Sequence, residues 1–222
     1  QAPRGDVVAL LDVILGTGLR IGEVLALRWR DVVQDGETWL VDVNATMVEL
    51  VGRGQERQPV PKTDASDRLV PLPAFTVAAI DSMRSLAGEQ AKPEDYVFAA
   101  RKHIAQTEAR PRSRSNWRRS LRAALADQGL GELGFAPHVA RKTVATVVAR
   151  ATGSDEIAGR LLGHQVSRSV TTLHYIERMR RAPDETAVIQ AFVELSESLV
   201  PLPAQLSTAH FPSCSKREFT AD

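Results

Sequence analysis

Apolar residues at a helical period open the chain, and strand-like segments follow further along. Four apolar side chains share one face of the first predicted helix: Val7, Leu10, Leu11 and Ile14. This helix is expected to end near Gly16 and Gly18, and a second helix is predicted over residues 20–28. Because the glycines of this corner allow a tight backbone turn, the corner would fix the direction in which Arg20 points.

Short alternating runs in the middle of the chain are typical of strands. Four segments are predicted as strands: residues 39–43, 46–51, 60–62 and 68–72. Pro59 and Pro61 flank Val60 in the third segment. Since proline donates no hydrogen bond to a sheet, that segment can only be an edge strand or a hairpin arm.

Helical spacing returns after Pro73. One apolar stripe consists of Val77, Ile80, Met83 and Leu86. Three further helices are predicted over residues 114–127, 138–150 and 154–162. Ser113 and Ser154 are suited to cap the first and the third of these, and Gly129 to close the first. The predicted fold class is therefore α+β, mainly α-helical with one small antiparallel sheet.

Length and composition fit one domain, because 222 residues with 43% hydrophobic content can bury a sizeable core. We expect this domain over residues 1–200 and a flexible tail over residues 201–222. The single cysteine, Cys214, excludes an internal disulfide framework and fits a reducing compartment. No apolar run approaches the eighteen or so residues of a membrane span. Because the chain does not begin with methionine, we expect it to be part of a longer protein.

Basic residues are unevenly distributed, although the net charge is only +1. Residues 101–122 contain eight Lys or Arg and one acid, a local excess that could neutralise a run of phosphates. Three of the arginines recur every fourth residue on one face of the predicted helix: Arg114, Arg118 and Arg122. Trp117 and Leu121 lie on another face. The helix therefore has one side for a core and one for nucleic-acid phosphates; the alternative is an ordinary solvated face.

Six side chains could together attack and stabilise a phosphodiester without a metal ion: Arg20, Lys62, His138, Arg141, His164 and Tyr175. Planar guanidinium groups can each hold the non-bridging oxygens with two hydrogen bonds. His138 lies three residues before Arg141, so both project from nearly the same helix face, and its imidazole could orient or deprotonate a nucleophile. The five histidines show no zinc-protease or Cys-His spacing, so no metal site is predicted.

Each of these residues also has a less specific interpretation. Arg20 could form an ion pair with Glu23 on the same helix. Arg141 could be a solvent-exposed helix residue beside Lys142. His164 could be a favourable cation at a helix C-terminus. His138 could be a histidine in a first helical turn without a role, and Lys62 an ordinary loop lysine. Tyr175 could be a tyrosine with a buried ring and a solvated hydroxyl.

The order of five motifs resembles the tyrosine recombinase family, and the phage integrases in particular. They are Gly-Thr-Gly-Leu-Arg-Ile-Gly-Glu at residues 16–23, Pro-Lys-Thr at 61–63, His-Val-Ala-Arg at 138–141, Leu-Leu-Gly-His at 161–164 and Val-Thr-Thr-Leu-His-Tyr-Ile at 170–176. The resemblance runs from about residue 7 to about residue 190. It is specific, because several segments in the right order are much harder to obtain by chance than one His-x-x-Arg pair.

The resemblance implies a tyrosine recombinase catalytic-domain fold and a site-specific DNA recombinase. Tyr175 would attack a DNA phosphate to form a 3′-phosphotyrosyl bond, and the freed 5′-hydroxyl would then attack the phosphotyrosine of a second strand. Lys62 would act as the general acid, and His164 would hydrogen-bond the scissile phosphate. Because the adduct retains the bond energy, neither ATP nor a metal cofactor is expected.

Partners also follow from the resemblance. We expect double-stranded DNA attachment sites, a tetramer on paired sites, accessory DNA-bending proteins and no membrane. The expected location is the cytoplasm of a bacterial host, at the nucleoid. Two alternatives are a type IB topoisomerase-like enzyme, which rejoins the original strand, and a catalytically silent DNA-binding relative.

An apolar stripe at helical spacing follows Pro183: Val188, Phe192, Leu195 and Leu199. Such a stripe must be buried, either on its own domain or, as the resemblance implies, against a neighbouring subunit. In the second case, deleting the chain from Pro183 onward should leave a folded protein that binds one DNA site but loses cooperative binding to paired sites.

Overall fold

Two α-helices, five strands and then five α-helices follow one another in the described parts of the chain, which in this computed structural model are residues 5–50, 52–59, 67–100, 110–163 and 184–199. The helices are α1 (Gly5–Thr17), α2 (Ile21–Ala26), α3 (Ala74–Ala87), α4 (Arg114–Ala126), α5 (Pro137–Thr152), α6 (Asp155–Leu161) and α7 (Thr186–Leu199). The strands are β1 (Val32–Asp35), β2 (Thr38–Val43), β3 (Ala45–Leu50), β4 (Gly54–Pro59) and β5 (Arg68–Pro71). The predicted tail, residues 201–222, lies outside the described ranges.

The fold class is as predicted, but the described strands divide into two antiparallel sheets instead of one. β2 lies between β1 and β5 in the first sheet, and β3 pairs with β4 in the second. Only Asn44 separates β2 from β3 along the chain. Its side chain donates a hydrogen bond to Asp31 Oδ1 (3.0 Å) and accepts one from Arg57 Nη2 (2.5 Å). This polar anchor lies where the chain passes from one sheet to the other.

Two of the observed strands, β1 and β4, were not predicted. β4, with the sequence Gly-Gln-Glu-Arg-Gln-Pro, shows no apolar alternation, and none of its residues is fully buried. Backbone pairing with β3 and the hydrogen bonds of Arg57 to Ala26 and Asn44 hold this strand, and neither produces an apolar pattern in the sequence. β5 pairs with β2, and residues 60–62, predicted as a strand, lie outside the described residues. The short β1 was also missed, because its last two residues are exposed.

The helices agree more closely with the sequence pattern. Ser113 caps α4 by accepting a hydrogen bond from the Asn116 backbone N–H (3.1 Å), and Ser154 caps α6 in the same way from Ile157 (3.3 Å). α2 is shorter than predicted and ends at Ala26. The following Leu27 is extended and accepts a hydrogen bond from the Val97 backbone N–H.

A hydrophobic core surrounds α1, which packs against α3, α5 and α7. Within α1, Leu10, Val13 and Ile14 have no exposed surface. Other fully buried side chains come from distant parts of the chain and include Val41, Phe98, Trp117 and Val148. Burying each such side chain contributes about 1.5–3 kcal/mol. The core thus fixes the C-terminal end of α1, from which the candidate site begins.

Helix α7 packs on its own chain in this structure. Ile189 is 3% exposed and lies with Leu15 of α1 and Val144 of α5, whereas Phe192 is 37% exposed. The buried face is therefore centred on Ile189, one position away from the Val188 of the predicted stripe. The side chains of the other two stripe residues lie outside those described. Across the described ranges, no helix combines the length and apolar content needed to cross a bilayer.

Candidate active site

The corner between α1 and α2 sets the direction of Arg20. Gly18 has a φ of 66°, which L side chains rarely adopt, and a Cβ at this position would lie 2.5 Å from Leu162 Cδ2, so this position strongly favours glycine. The Thr17 hydroxyl donates to the Val13 carbonyl and accepts a hydrogen bond from the Leu19 backbone N–H (3.2 Å). The Thr17 hydrogen bonds and the packing of Gly18 against Leu162 hold the backbone of this corner, and they thereby fix the position of the Arg20 backbone.

Glu23 holds Arg20 at the start of α2. Its carboxylate accepts a hydrogen bond from the Arg20 backbone N–H (2.8 Å) and from Arg20 Nη1 (3.0 Å). The Glu23 side chain is 4% exposed, whereas that of Arg20 is 50% exposed. The ion pair considered as the less specific interpretation of Arg20 is therefore present. Half of the Arg20 side chain nevertheless faces solvent, where a phosphate can reach it.

Arg68, at the start of β5, binds the other side of Glu23 and was missed by sequence reasoning. Its Nη2 lies 3.2 Å from Glu23 Oε2, and its Nε donates to the Leu161 carbonyl (3.2 Å). Burial alone would raise the pKa of Glu23, but Arg68 and the Arg20 backbone N–H outweigh it and hold that pKa below its ordinary 4.5. The signal in the sequence was a lone arginine opening an apolar strand.

Arg141 is partly buried on α5, so its interpretation as a solvent-exposed residue is wrong. Its Nη2 donates to the Leu162 carbonyl (2.7 Å) and its Nη1 to the Gly18 carbonyl. Burial and the charge of Arg20 lower the pKa of Arg141 to about 10. Because Arg141 reaches the carbonyl of Gly18, two residues before Arg20, the two charges lie near each other, and Arg141 is still charged at neutral pH.

His138 lies in the first turn of α5, directly after Pro137 at the helix start, and its side chain is exposed. Three other predicted site residues lie outside the described residues: Lys62, His164 and Tyr175. Lys62 falls between the end of β4 and the start of β5, and His164 directly follows Gly163, the last residue described after α6. Of the six candidates, Arg20 and Arg141 are thus brought together, and His138 lies on α5 with Arg141.

The basic helix α4 has the two faces predicted for it. Trp117 and Leu121 are buried, while the three candidate DNA-binding arginines are exposed: Arg114, Arg118 and Arg122. A Cβ placed on Gly22 would lie 3.2 Å from Arg114 Nη2, so the N-terminal end of α4 adjoins the helix that carries Arg20. Arg112 is different, because it is 8% exposed and forms an ion pair with Asp6. This arginine of the basic segment is therefore not presented to a ligand.

Metal-binding side chains do not cluster in the described part of the chain. Within it, no three His, Cys, Asp or Glu residues lie close enough together to hold a metal ion. Among the described residues, the charges of Arg20, Arg68 and Arg141 all act on the carboxylate of Glu23. The cluster has surplus positive charge, which suits an anion.

Comparison with known proteins gives a family match over most of the chain. The family model described as "Phage integrase family" matches residues 6–180. The chain is 28% identical to the tyrosine recombinase XerC of Xanthomonas axonopodis pv. citri (strain 306) over 156 residues, which cover 70% of this chain and 42% of that protein. It is also 28% identical to XerC of Ralstonia pickettii (strain 12J), over 74% of this chain and 49% of the relative. The chain thus spans less than half the length of these curated relatives.

Solved structures with the same fold include a transposon integrase and a recombinase. The integrase of transposon Tn1549, in complex with circular intermediate DNA, aligns with a TM-score of 0.58 at 18% identity, covering 88% of this chain and 59% of that one. XerA recombinase aligns with a TM-score of 0.51 at 22% identity, over 88% of this chain and 56% of the other. At these identities the likeness concerns the fold.

Proposed function

The chain belongs to the phage integrase family, and from this premise we propose that it is the catalytic part of a site-specific DNA recombinase. Tyr175 attacks a DNA phosphate, the bond to the 5′ oxygen breaks, and a 3′-phosphotyrosyl adduct forms. Lys62 protonates the departing 5′ oxygen. The freed 5′-hydroxyl then attacks the phosphotyrosine of a second strand and releases the tyrosine. Neither step consumes ATP, because the adduct conserves the phosphodiester bond energy.

The observation that carries this proposal is the arrangement of Arg20 and Arg141. Each is anchored through part of its guanidinium group, Arg20 by Glu23 (3.0 Å) and Arg141 by the Leu162 carbonyl (2.7 Å). Arginines held in this way need little reorganisation when negative charge develops on the non-bridging oxygens. His138 and His164 add hydrogen bonds to the same phosphate or orient the nucleophile.

DNA binding is supported by the exposed arginine face of α4, which adjoins α2 through Arg114 and Gly22. Backbone phosphates on either side of the scissile one would lie along this face. The Tn1549 integrase was solved with DNA, which agrees with double-stranded DNA sites as the substrate. We also propose a tetramer on paired sites, assistance from DNA-bending proteins, and action at the nucleoid of a bacterial host.

The proposal is tested by covalent trapping. The probe is a pool of nicked DNA duplexes of randomised sequence. Duplexes that the 222-residue chain captures are recovered from this pool, and one recovered duplex then serves as the substrate. Denaturing gels should show a protein–DNA adduct in excess EDTA, since arginine and lysine side chains supply the charge stabilisation. Cleavage that is lost in EDTA and restored by a divalent ion would contradict this mechanism.

The same assay separates the two alternatives. A recombinase should join strands of two differently labelled duplexes. Relaxation of supercoiled plasmid without such joint products would indicate the topoisomerase-like reaction. Tight binding without any adduct would indicate a silent DNA-binding relative.

A further inference from the structure

Arg68 lies behind the candidate site and has no place in the reaction described above. Resting on the proposed recombinase function, we infer that Arg68 is a positioning residue for strand cleavage. It joins the start of α2 to the end of α6 and thereby sets the relative position of Arg20 and Arg141. It does so without touching DNA, because its side chain is only 4% exposed.

Two hydrogen bonds define this role. Arg68 Nη2 lies 3.2 Å from Glu23 Oε2, the same oxygen that accepts the Arg20 backbone N–H at 2.8 Å. Arg68 Nε donates to the Leu161 carbonyl at 3.2 Å. The adjacent Leu162 carbonyl accepts the hydrogen bond from Arg141 Nη2 at 2.7 Å. Arg68 is therefore linked to Arg20 through the Glu23 carboxylate. It is linked to Arg141 through the C-terminal end of α6.

The chemistry of the guanidinium group makes this residue specific. Its planar fork can donate to a carboxylate and to a carbonyl in two directions at once. A lysine at the same position keeps the charge beside Glu23, but its shorter, single ammonium group cannot reproduce both fixed contacts. Arg68→Lys should therefore preserve the buried charge balance and loosen the link between α2 and α6. A displacement of about 1 Å at a reacting centre can cost about a hundredfold in rate.

Arg112 provides a matched control. It too is a buried arginine paired with a carboxylate, with side-chain exposures of 10% for Arg112 and 7% for Asp6, and its Nη2 donates to Ser120 Oγ (2.9 Å). Asp6 lies at the start of α1 and Thr17 at its end. At 1.5 Å per residue, these positions are roughly 16 Å apart along the helix. Arg112→Lys therefore makes the same chemical change away from the candidate site.

The experiment compares single-turnover cleavage of a captured nicked duplex by the wild-type chain, Arg68→Lys and Arg112→Lys. We expect Arg68→Lys to lower the cleavage rate at saturating protein by about 10- to 100-fold while the Kd for DNA changes less than about twofold. Arg112→Lys should leave both quantities within about twofold of wild type. Thermal midpoints are measured on all three, so that a loss of folding is seen separately.

A second variant addresses coupling and folding. If Arg68 acts through Glu23, adding Arg68→Lys to Glu23→Gln should slow cleavage much less than it does in the wild-type chain. If Arg68→Lys itself does not fold, the charge-neutral pair Glu23→Gln with Arg68→Met takes its place and should be folded but slow.

Different results would contradict the positioning role of Arg68 and the proposed recombinase function. Wild-type adducts together with an unchanged rate in folded Arg68→Lys, or in the charge-neutral pair, overturn the positioning role alone. An equal loss in Arg112→Lys, or fully additive effects with Glu23→Gln, also overturn it. No adduct from the wild-type chain on any duplex of the pool contradicts the recombinase proposal itself.

Discussion

Glu23 is the residue on which the described part of the site depends. It is nearly buried, yet it is ionised because two arginines face it, Arg20 at 3.0 Å and Arg68 at 3.2 Å. The local motif at residues 16–23 indicates Arg20, but in the sequence Glu23 is only a possible ion-pair partner of that arginine. Arg68 could not be assigned from the sequence, because its role comes from contacts with residues 45 and 93 positions away.

The contribution of the ionised Glu23 carboxylate to the stability of the fold can be tested by thermal unfolding at several pH values. Because the pKa of Glu23 is lowered in the folded chain, its ionised form stabilises the fold above pH 4.5, and that contribution is lost as the pH falls through the lowered pKa. Glu23→Gln should cost roughly 1–3 kcal/mol near pH 7, and the difference in thermal midpoint from wild type should narrow below pH 4.5.

Glu49→Gln, at an exposed position of β3, is the control and should differ little from wild type across the same pH range. A wild-type advantage over Glu23→Gln that persists unchanged down to pH 3 would contradict the ion-pair account.

At the level of elements, capping residues and the spacing of apolar residues predicted the helix bounds, which depend on local sequence. The bounds of α4, α5 and α6 agree with the prediction to within about two residues, because Ser113 and Ser154 mark helix starts and apolar stripes mark the buried faces. β4 was missed because its pairing with β3 leaves no apolar alternation. A strand that is held by backbone pairing and by polar contacts, such as those of Arg57, leaves no periodic pattern of apolar residues.

The arginine face of α4 carries the second prediction. Replacing Arg114, Arg118 and Arg122 with alanine should weaken DNA binding and reduce the slope of log K against log salt by up to about 3, at about 0.9 per lost phosphate contact. The measurement is a salt titration of DNA affinity by fluorescence anisotropy.

Single substitutions test whether the face matters or only the charge. Arg118→Ala and Arg119→Ala each remove one exposed charge from the same helix, but the two side chains point about 100° apart. Only Arg118→Ala should change the salt slope. Equal slopes for these two variants, or an unchanged slope in the triple variant, would indicate a merely solvated face.

The packing of α7 on its own chain carries the third prediction. Ile189→Ala should lower the free energy of unfolding by about 2–4 kcal/mol, because it opens a cavity between α1 and α5. Val188→Ala, at a partly exposed neighbouring position, should cost about 1 kcal/mol or less. Urea denaturation of both variants gives the comparison. Equal costs would mean that this helix is buried elsewhere, such as on a neighbouring subunit.

For the whole molecule, the site is assembled from segments far apart in the chain. Arg141 reaches the Gly18 carbonyl across 123 positions, and both lie against the end of α6. The motif order predicted six candidate residues, and within the described ranges the fold brings two of them, Arg20 and Arg141, together. The motif order could not predict how they are held, since the buried surroundings of α1 bring the segments together. Together with the family match over residues 6–180, that arrangement makes a covalent protein–DNA intermediate the central expectation of the proposed function.

The most direct test of this account is the fate of the protein–DNA adduct when each of the chain's two tyrosines is changed to phenylalanine. Only a phenolic oxygen can form the proposed phosphotyrosyl bond. Tyr175→Phe should abolish the adduct on denaturing gels and leave DNA affinity nearly unchanged. Tyr96→Phe, which alters a ring stacked beneath Arg28, should form the adduct as wild type does. Adducts that survive in Tyr175→Phe, or that disappear in Tyr96→Phe alone, would contradict the assignment of the nucleophile.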